Sequence, residues 1–225
     1  CLSKHFEVSP NVFFNELIPK MIPLESDYLQ KTLAIKKQRA QKIETYLATI
    51  PFSDFKAFEI ILPKLPLHSQ LQISNSSAIR YAQLFAINPT IEVFCNRGTS
   101  GIDGSTSTAI GAAVASGKET ILITGDISFL YDSNALWNNY IPNNFKIILL
   151  NNGGGGIFRI LPGHEESETF NTFFETSHSL TAEHLAKMYG FEYESAVDEK
   201  TLKENLEIAL NAKKPIILEV FTVRF

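Results

Sequence analysis

Two apolar stretches of this chain end in oxygen-bearing side chains. Ile121-Leu-Ile-Thr-Gly-Asp126 closes on a carboxylate. Lys146-Ile-Ile-Leu-Leu-Asn-Asn152 closes on two amides and runs into Gly153–Gly156. If both are neighbouring parallel strands, their tips meet at the carboxyl edge of one sheet, where open α/β sheets bind ligands. A hard divalent cation held with a diphosphate suits such a set. Magnesium takes a near-octahedral oxygen shell and keeps phosphates within it. Asp126, Asn152 and the carbonyl of Gly154 would supply three oxygens, with two diphosphate oxygens and a water completing the shell. Gly125 lets the main chain approach the phosphates. Ser128, at the start of the next short helix, can offer a hydroxyl and helix-start amides to the anion. Taken singly, Asp126 reads more readily as a helix N-cap, and Asn151-Asn152-Gly153 as a plain turn. Their shared placement after two apolar strands favours the metal.

A second constellation lies upstream. Asn96-Arg-Gly-Thr-Ser-Gly-Ile-Asp-Gly104 follows an apolar run and precedes a small-residue helix. A generic phosphate loop explains its glycines, but not Arg97, Ile102 and Asp103 together. No Gly-x-Gly-x-x-Gly opens a helix, which speaks against a nicotinamide cofactor.

A βα alternation must position these groups. Strands are expected at Gln70–Ser74, Ile91–Cys95, Glu119–Thr124, Phe145–Leu150, Phe191–Glu194 and Pro215–Phe221. Helices are expected at Ser76–Phe85, Ser105–Ala115, Ser133–Asn139, Ala182–Tyr189 and Glu199–Asn211. Before them, Pro51-Phe-Ser-Asp54 is a helix start with Ser53 as N-cap, and that helix stops at Pro63. The near-continuous apolar strands are those of a sheet covered on both faces. The fold class is therefore α/β: a doubly wound, mostly parallel six-stranded sheet with helices on both faces. Residues 26–49 read as a polar helix. Residues 1–25 carry three prolines and no clear period. Residues 1–49 are thus expected to be a linker and the end of a preceding domain, and residues 50–225 the domain that carries the site. The chain opens at Cys1 without a methionine, which suggests a piece of a longer protein.

Bulk properties narrow the classes. A length of 225 residues and 44% hydrophobic content allow a substantial core. A net charge of −4 without a basic cluster argues against nucleic acid. The two cysteines, Cys1 and Cys95, form no disulfide framework, and a reducing cytoplasm fits best. There is no run of 18 apolar residues and no signal peptide, so no membrane span is expected. The segment from Leu161 to Ser177, followed by His178, reads as a solvated active-site lid. The ligand spacing of His164, His178 and His184 supports no metal cluster.

Gly125-Asp126 followed by Asn151-Asn152 resembles the metal-binding signature of the thiamine-diphosphate enzymes. That family's usual form is Gly-Asp-Gly, two dozen or more residues, then Asn-Asn. Here Ile127 takes the third position, and the gap is 23 residues, 128–150. Asn96–Gly104, Gly125-Asp-Ile-Ser-Phe-Leu-Tyr-Asp132 and Gly156-Ile-Phe-Arg-Ile-Leu-Pro162 together resemble one branch, the menaquinone-pathway synthases. The likeness covers about residues 50–225, with residues 1–49 matching loosely as the exit from that family's middle domain. It implies thiamine diphosphate with Mg2+ (Mn2+ also possible), the metal on Asp126, Asn152 and the Gly154 carbonyl. Ser76, Ser100, Gly101, Gly125, Ile127 and Ser128 would line the cofactor. Ile102 would wedge between its rings and hold it bent. Ser76, Arg80 and Arg97 would bind substrate carboxylates, since arginine forks grip carboxylates bidentately. Ile157, Phe158 and Leu161 would form an apolar wall.

The implied substrates are 2-oxoglutarate, which is decarboxylated, and isochorismate, which receives the succinyl carbanion equivalent. The implied partner is a second subunit of a homo-oligomer. Its N-terminal pyrimidine-binding domain would contribute a glutamate, so this piece alone is expected to be inactive. Two other readings stand beside this one. The first is a thiamine-diphosphate enzyme of the acetolactate synthase or 2-oxoacid decarboxylase type. The second is a non-catalytic α/β oligomerisation module.

Overall fold

A computed structural model of the chain describes residues 3–163 and 165–223. Cys1 and His164 lie outside them. The chain divides into two compact units, Cys1–Ala48 and Thr49–Phe225.

In the first unit, helix α1 (Pro10–Leu17) begins where the Ser9 hydroxyl accepts a hydrogen bond from the Val12 amide at 3.3 Å. Pro10 suits the first helical position because its missing N–H would have no partner there. This helix falls where the sequence showed no period. A cap and a proline set it locally, while its apolar Val12, Phe14 and Leu17 stay exposed. Helix α2 (Tyr28–Leu47) is the expected polar helix.

The second unit is built on six strands: β1 (Gln70–Ile73), β2 (Glu92–Cys95), β3 (Thr120–Gly125), β4 (Phe145–Asn151), β5 (Glu192–Ala196) and β6 (Ile216–Phe221). They form one sheet in the order β2-β1-β3-β4-β6-β5, and every pairing is parallel. Around it lie α3 (Asp54–Ile61), α4 (Ser77–Ala82), α5 (Ser105–Ser116), α6 (Asp126–Tyr131), α7 (Ile157–Ile160), α8 (Glu183–Tyr189) and α9 (Glu199–Asn211).

Alternation along the strands explains the continuous apolar runs. Ile121, Ile123, Ile148, Leu150 and Leu218 join one core with Phe58 of α3, Ala78 of α4 and Leu206 of α9. The intervening Leu122, Ile147, Leu149 and Ile217 join a second core with Ala109 of α5, Phe129 of α6 and Ala186 of α8. Both faces of the central strands are buried, so both sets of alternate positions there are mostly apolar.

Two expected helices are shorter than the sequence suggested. Helix α4 ends at Ala82 and gives way to tight turns, with the Leu84 amide donating to the Tyr81 carbonyl at 2.9 Å. Ser133–Trp137 is only a 3-10 turn. There the Asn138 side chain donates to the Ala135 carbonyl at 2.6 Å, competing with helix continuation. Among the described residues, no helix is long and apolar enough to cross a membrane.

The chain leaves β1 toward β2 on one side of the sheet, then returns to β3 and β4 on the other. The carboxyl ends of β1, β3 and β4 therefore flank the point where the winding reverses.

Candidate functional site

A cavity of about 370 Å3 opens at those three strand ends. Its walls include Asn75 and Ser76 after β1, Ser100–Ile102 of the glycine-rich loop, Gly125–Ser128 after β3, and Asn152 and Gly154–Phe158 after β4.

Asp126 ties two of these tips together. It is 4% exposed. Its Oδ1 accepts from the Ile127 amide at 2.7 Å. Its Oδ2 accepts from the amides of Gly153 (2.8 Å) and Gly154 (3.0 Å). The tips of β3 and β4 therefore converge. Nε2 of His178 lies 3.2 Å from the same Oδ2. Nδ1 of that ring accepts from the Leu180 amide at 3.1 Å, which fixes the ring beside Asp126. Burial pushes the Asp126 carboxyl above its ordinary range, while the three amides and His178 pull it back.

A second buried carboxylate stands beside it. Asp54 of α3 is 4% exposed and also lines the cavity. One oxygen accepts from Asn152 Nδ2 at 2.9 Å and the other from the Thr222 hydroxyl. Burial pushes its pKa up to about 6, against the lowering effect of those two bonds, and the nearby Asp126 charge adds to the rise. From sequence, Asp54 reads only as a first-turn acid behind its cap Ser53. No local signal places it at Asn152, 98 residues away.

The donor set fits a cation with a diphosphate. Two buried carboxylates meet at one cavity edge. Oδ1 of Asp126 accepts from the Ile127 amide and has capacity for a further partner. Gly125 has open space where a Cβ would stand, which leaves room for phosphate oxygens, whereas Gly154 and Gly155 are glycine because backbone of the 174–177 segment packs against them. Among the described residues, no three or more His, Cys, Asp or Glu are grouped so as to hold a metal ion, so a cation here would depend on amide and carbonyl oxygens as well.

The other sequence-derived residues divide clearly. Ser76, Ser100, Gly101, Ile102, Gly125, Ile127, Ser128, Ile157 and Phe158 line the cavity with Asp126, Asn152 and Gly154. Arg80, Arg97 and Leu161 do not. Arg80 is exposed on α4, and Leu161 is 42% exposed. Arg97 is exposed too, but its Nη1 donates to Asn75 Oδ1 at 2.6 Å, and Asn75 is a lining residue. Asn75 Nδ2 in turn donates to the Ser100 carbonyl. The Ser128 hydroxyl donates to the Ile102 carbonyl, so its proton locks the glycine-rich loop to α6. Ser76 (φ 77°) and Ser100 (φ 62°) hold left-handed backbone, a conformation that non-glycine residues adopt at a cost and that clusters at functional sites. Asn151 turns away from the cavity, donating to Glu219 (2.7 Å) and to the Leu180 carbonyl (2.9 Å).

Phe173, Phe174 and Thr176, from the segment expected to be a lid, complete the walls. That segment holds a π-helical turn, Phe170–Glu175. Arg159 forks onto Glu175 (2.7 and 2.6 Å), the Gly155 amide donates to the Glu175 carbonyl (2.6 Å), and Phe158 meets Phe174 edge-on at 5.7 Å. A Cβ at Gly155 would lie 2.8 Å from the Phe174 carbonyl. Gly155→Ala is therefore expected to cost about 1–3 kcal/mol by overpacking, lowering the thermal midpoint by roughly 3–10 °C and exposing this segment to protease. An unchanged midpoint and digestion pattern would refute the close packing.

Known proteins bear on this site. Residues 75–220 match the family described as "Thiamine pyrophosphate enzyme, C-terminal TPP binding domain"; thiamine pyrophosphate is thiamine diphosphate. The chain is 82% identical over 221 residues to a protein of Flavobacterium psychrophilum named 2-succinyl-5-enolpyruvyl-6-hydroxy-3-cyclohexene-1-carboxylate synthase, covering 98% of this chain and 40% of that protein. A Flavobacterium johnsoniae protein of the same name is 66% identical over 225 residues, covering 100% of this chain and 41% of that protein. One from Bacteroides fragilis is 48% identical over 176 residues, covering 77% and 32%. The chain thus spans about two fifths of the length of the first two relatives.

Proposed function

We propose, from the premise that this chain belongs to the thiamine pyrophosphate enzyme family through its C-terminal TPP binding domain, that it is the cofactor-binding part of a 2-succinyl-5-enolpyruvyl-6-hydroxy-3-cyclohexene-1-carboxylate synthase. The identity to relatives of that name supports the reading. The observation that carries it is Asp126 Oδ2 accepting from Gly153 and Gly154, which draws the two loop tips into one anion-and-cation site.

Asp126, Asn152 and the Gly154 carbonyl would hold Mg2+. Gly125 and the first turn of α6 would face the diphosphate, and Ile102 would wedge between the rings. When bound, thiamine diphosphate supplies the electron sink that lets 2-oxoglutarate lose carbon dioxide and its succinyl remainder join isochorismate. The chain's own residues set the surroundings. Ile157, Phe158 and Phe174 present apolar surface that excludes water. Arg97 commits one nitrogen to Asn75 and keeps other donors for a substrate carboxylate. Arg80 would serve a second carboxylate from α4. Residues 1–49 would be the exit from a preceding domain, and the whole enzyme a homo-oligomer whose partner subunit completes each site.

Thermal unfolding of the whole enzyme tests this. At a hundredfold excess over Kd, thiamine diphosphate with Mg2+ should add about 2.7 kcal/mol, roughly 5–10 °C for a domain of this size. Turnover should follow 2-oxoglutarate with isochorismate rather than pyruvate. Turnover of pyruvate would instead indicate an acetolactate synthase or decarboxylase. Absence of any cofactor-dependent shift would indicate a non-catalytic module.

A further inference from the structure

Asn152 can hold a cation only through its amide oxygen, yet an asparagine side chain presents oxygen and nitrogen in nearly the same shape. Something must decide which one faces the cavity. The Asn152 amide lies 2.9 Å from Asp54 Oδ2. A carboxylate only accepts hydrogen bonds, so the amide must turn its nitrogen toward Asp54. The opposite choice would press two acceptors together. The two branches of an amide diverge, and Oδ1 is therefore directed away from Asp54, on the side where Asn152 lines the cavity.

Asp54 is itself unable to swing. Its second oxygen takes the Thr222 hydroxyl, and the Thr222 amide donates to the Asn151 carbonyl at 3.0 Å. Its backbone is set by the first turn of α3, where Ser53 caps the Lys56 amide. One carboxylate thus joins the start of α3, the end of β4 and the residue following β6. A buried carboxylate is costly unless it is fully paired, and a neutral residue would pack in its place without that cost.

We infer that Asp54 is a positioning residue that fixes the Asn152 amide with its oxygen toward the metal site. The inference rests on the proposed cofactor reading and extends it to a residue outside the ligand set. Outer-shell partners of this kind typically change metal affinity by 10–100-fold.

The test is Mn2+ binding, read by electron paramagnetic resonance, on the whole enzyme with thiamine diphosphate present. Asp54→Ala should weaken Mn2+ about 10–100-fold. In an Asn152→Ala background the same change should add no further loss, because Asp54 acts only through that amide. Asp54→Asn should stay within about fivefold of the parent, since its oxygen can still accept from Asn152 while its nitrogen turns to the Thr222 hydroxyl. Should Asp54→Ala fail to fold, Thr222→Val serves in its place, with an expected loss of roughly 2–10-fold for one hydrogen bond. Unchanged affinity in both Asp54→Ala and Thr222→Val overturns the inference. So does an equal Asp54→Ala loss in the two Asn152 backgrounds, which would make Asp54 a ligand or a purely structural group. If the parent enzyme binds no Mn2+ with thiamine diphosphate, the cofactor reading itself fails, and the inference falls with it.

Discussion

Asp126→Ala is expected to leave the domain folded while lowering the affinity of the whole enzyme for thiamine diphosphate and Mg2+ by about 10³-fold or more. A unit charge roughly 4 Å from a divalent ion, at an effective dielectric near 20, interacts with about 8 kcal/mol. Even half of that, after desolvation, is about three decades in binding. The unbound domain balances differently. The amides of Ile127, Gly153 and Gly154 lose their acceptor. At the same time a buried carboxylate, whose charge burial disfavours, is gone. These opposing effects keep the change in folding stability to a few kcal/mol. Isothermal titration with the cofactor, beside circular dichroism of the unbound protein, separates the two. Near-parental cofactor affinity in the variant would end the assignment of Asp126 as the central ligand.

Turnover by the 225-residue chain alone is expected to lie at least about 10⁴-fold below that of the whole enzyme. Its second unit builds one α/β sheet with the cavity at a single edge of that sheet. The proposed reaction also needs a carboxylate on the pyrimidine of the cofactor, and the family resemblance assigns that group to a second α/β domain on a partner subunit. Positioned acid–base groups contribute about 10²–10⁴-fold, and loss of the binding surface supplied by the other domain adds to the deficit. Steady-state assay with 2-oxoglutarate, isochorismate, thiamine diphosphate and Mg2+ measures it. Activity within a hundredfold of the whole enzyme would refute the divided site.

Much of the fold was legible in one dimension because its causes are local. Residues Glu199–Asn211 form the helix expected from the pattern, since Asp198 and Thr201 make a capping box at its start. The central strands announced themselves as largely apolar runs, because a parallel sheet covered on both faces takes apolar residues at most positions. Where local bonds compete, a helix ends a turn earlier than its periodicity implies, as at Ala135 and Asn138.

The sequence by itself determined the chemistry at hand: Asp126 and Asn152 behind two apolar strands, glycines beside them, and a glycine-rich loop with Ile102. Those are statements about residue type and spacing along one strand and the next. Only the tertiary structure decided which further groups share the cavity. Asp54 meets Asn152 across 98 residues and Thr222 across 168, and His178 reaches Asp126 from beyond the proposed lid. It also kept Arg80, Arg97 and Leu161 off the cavity wall. The physical reason is that hydrogen bonds between distant segments depend on how helices and strand ends pack in three dimensions. A strand's period or a helix's cap carries no information about that packing.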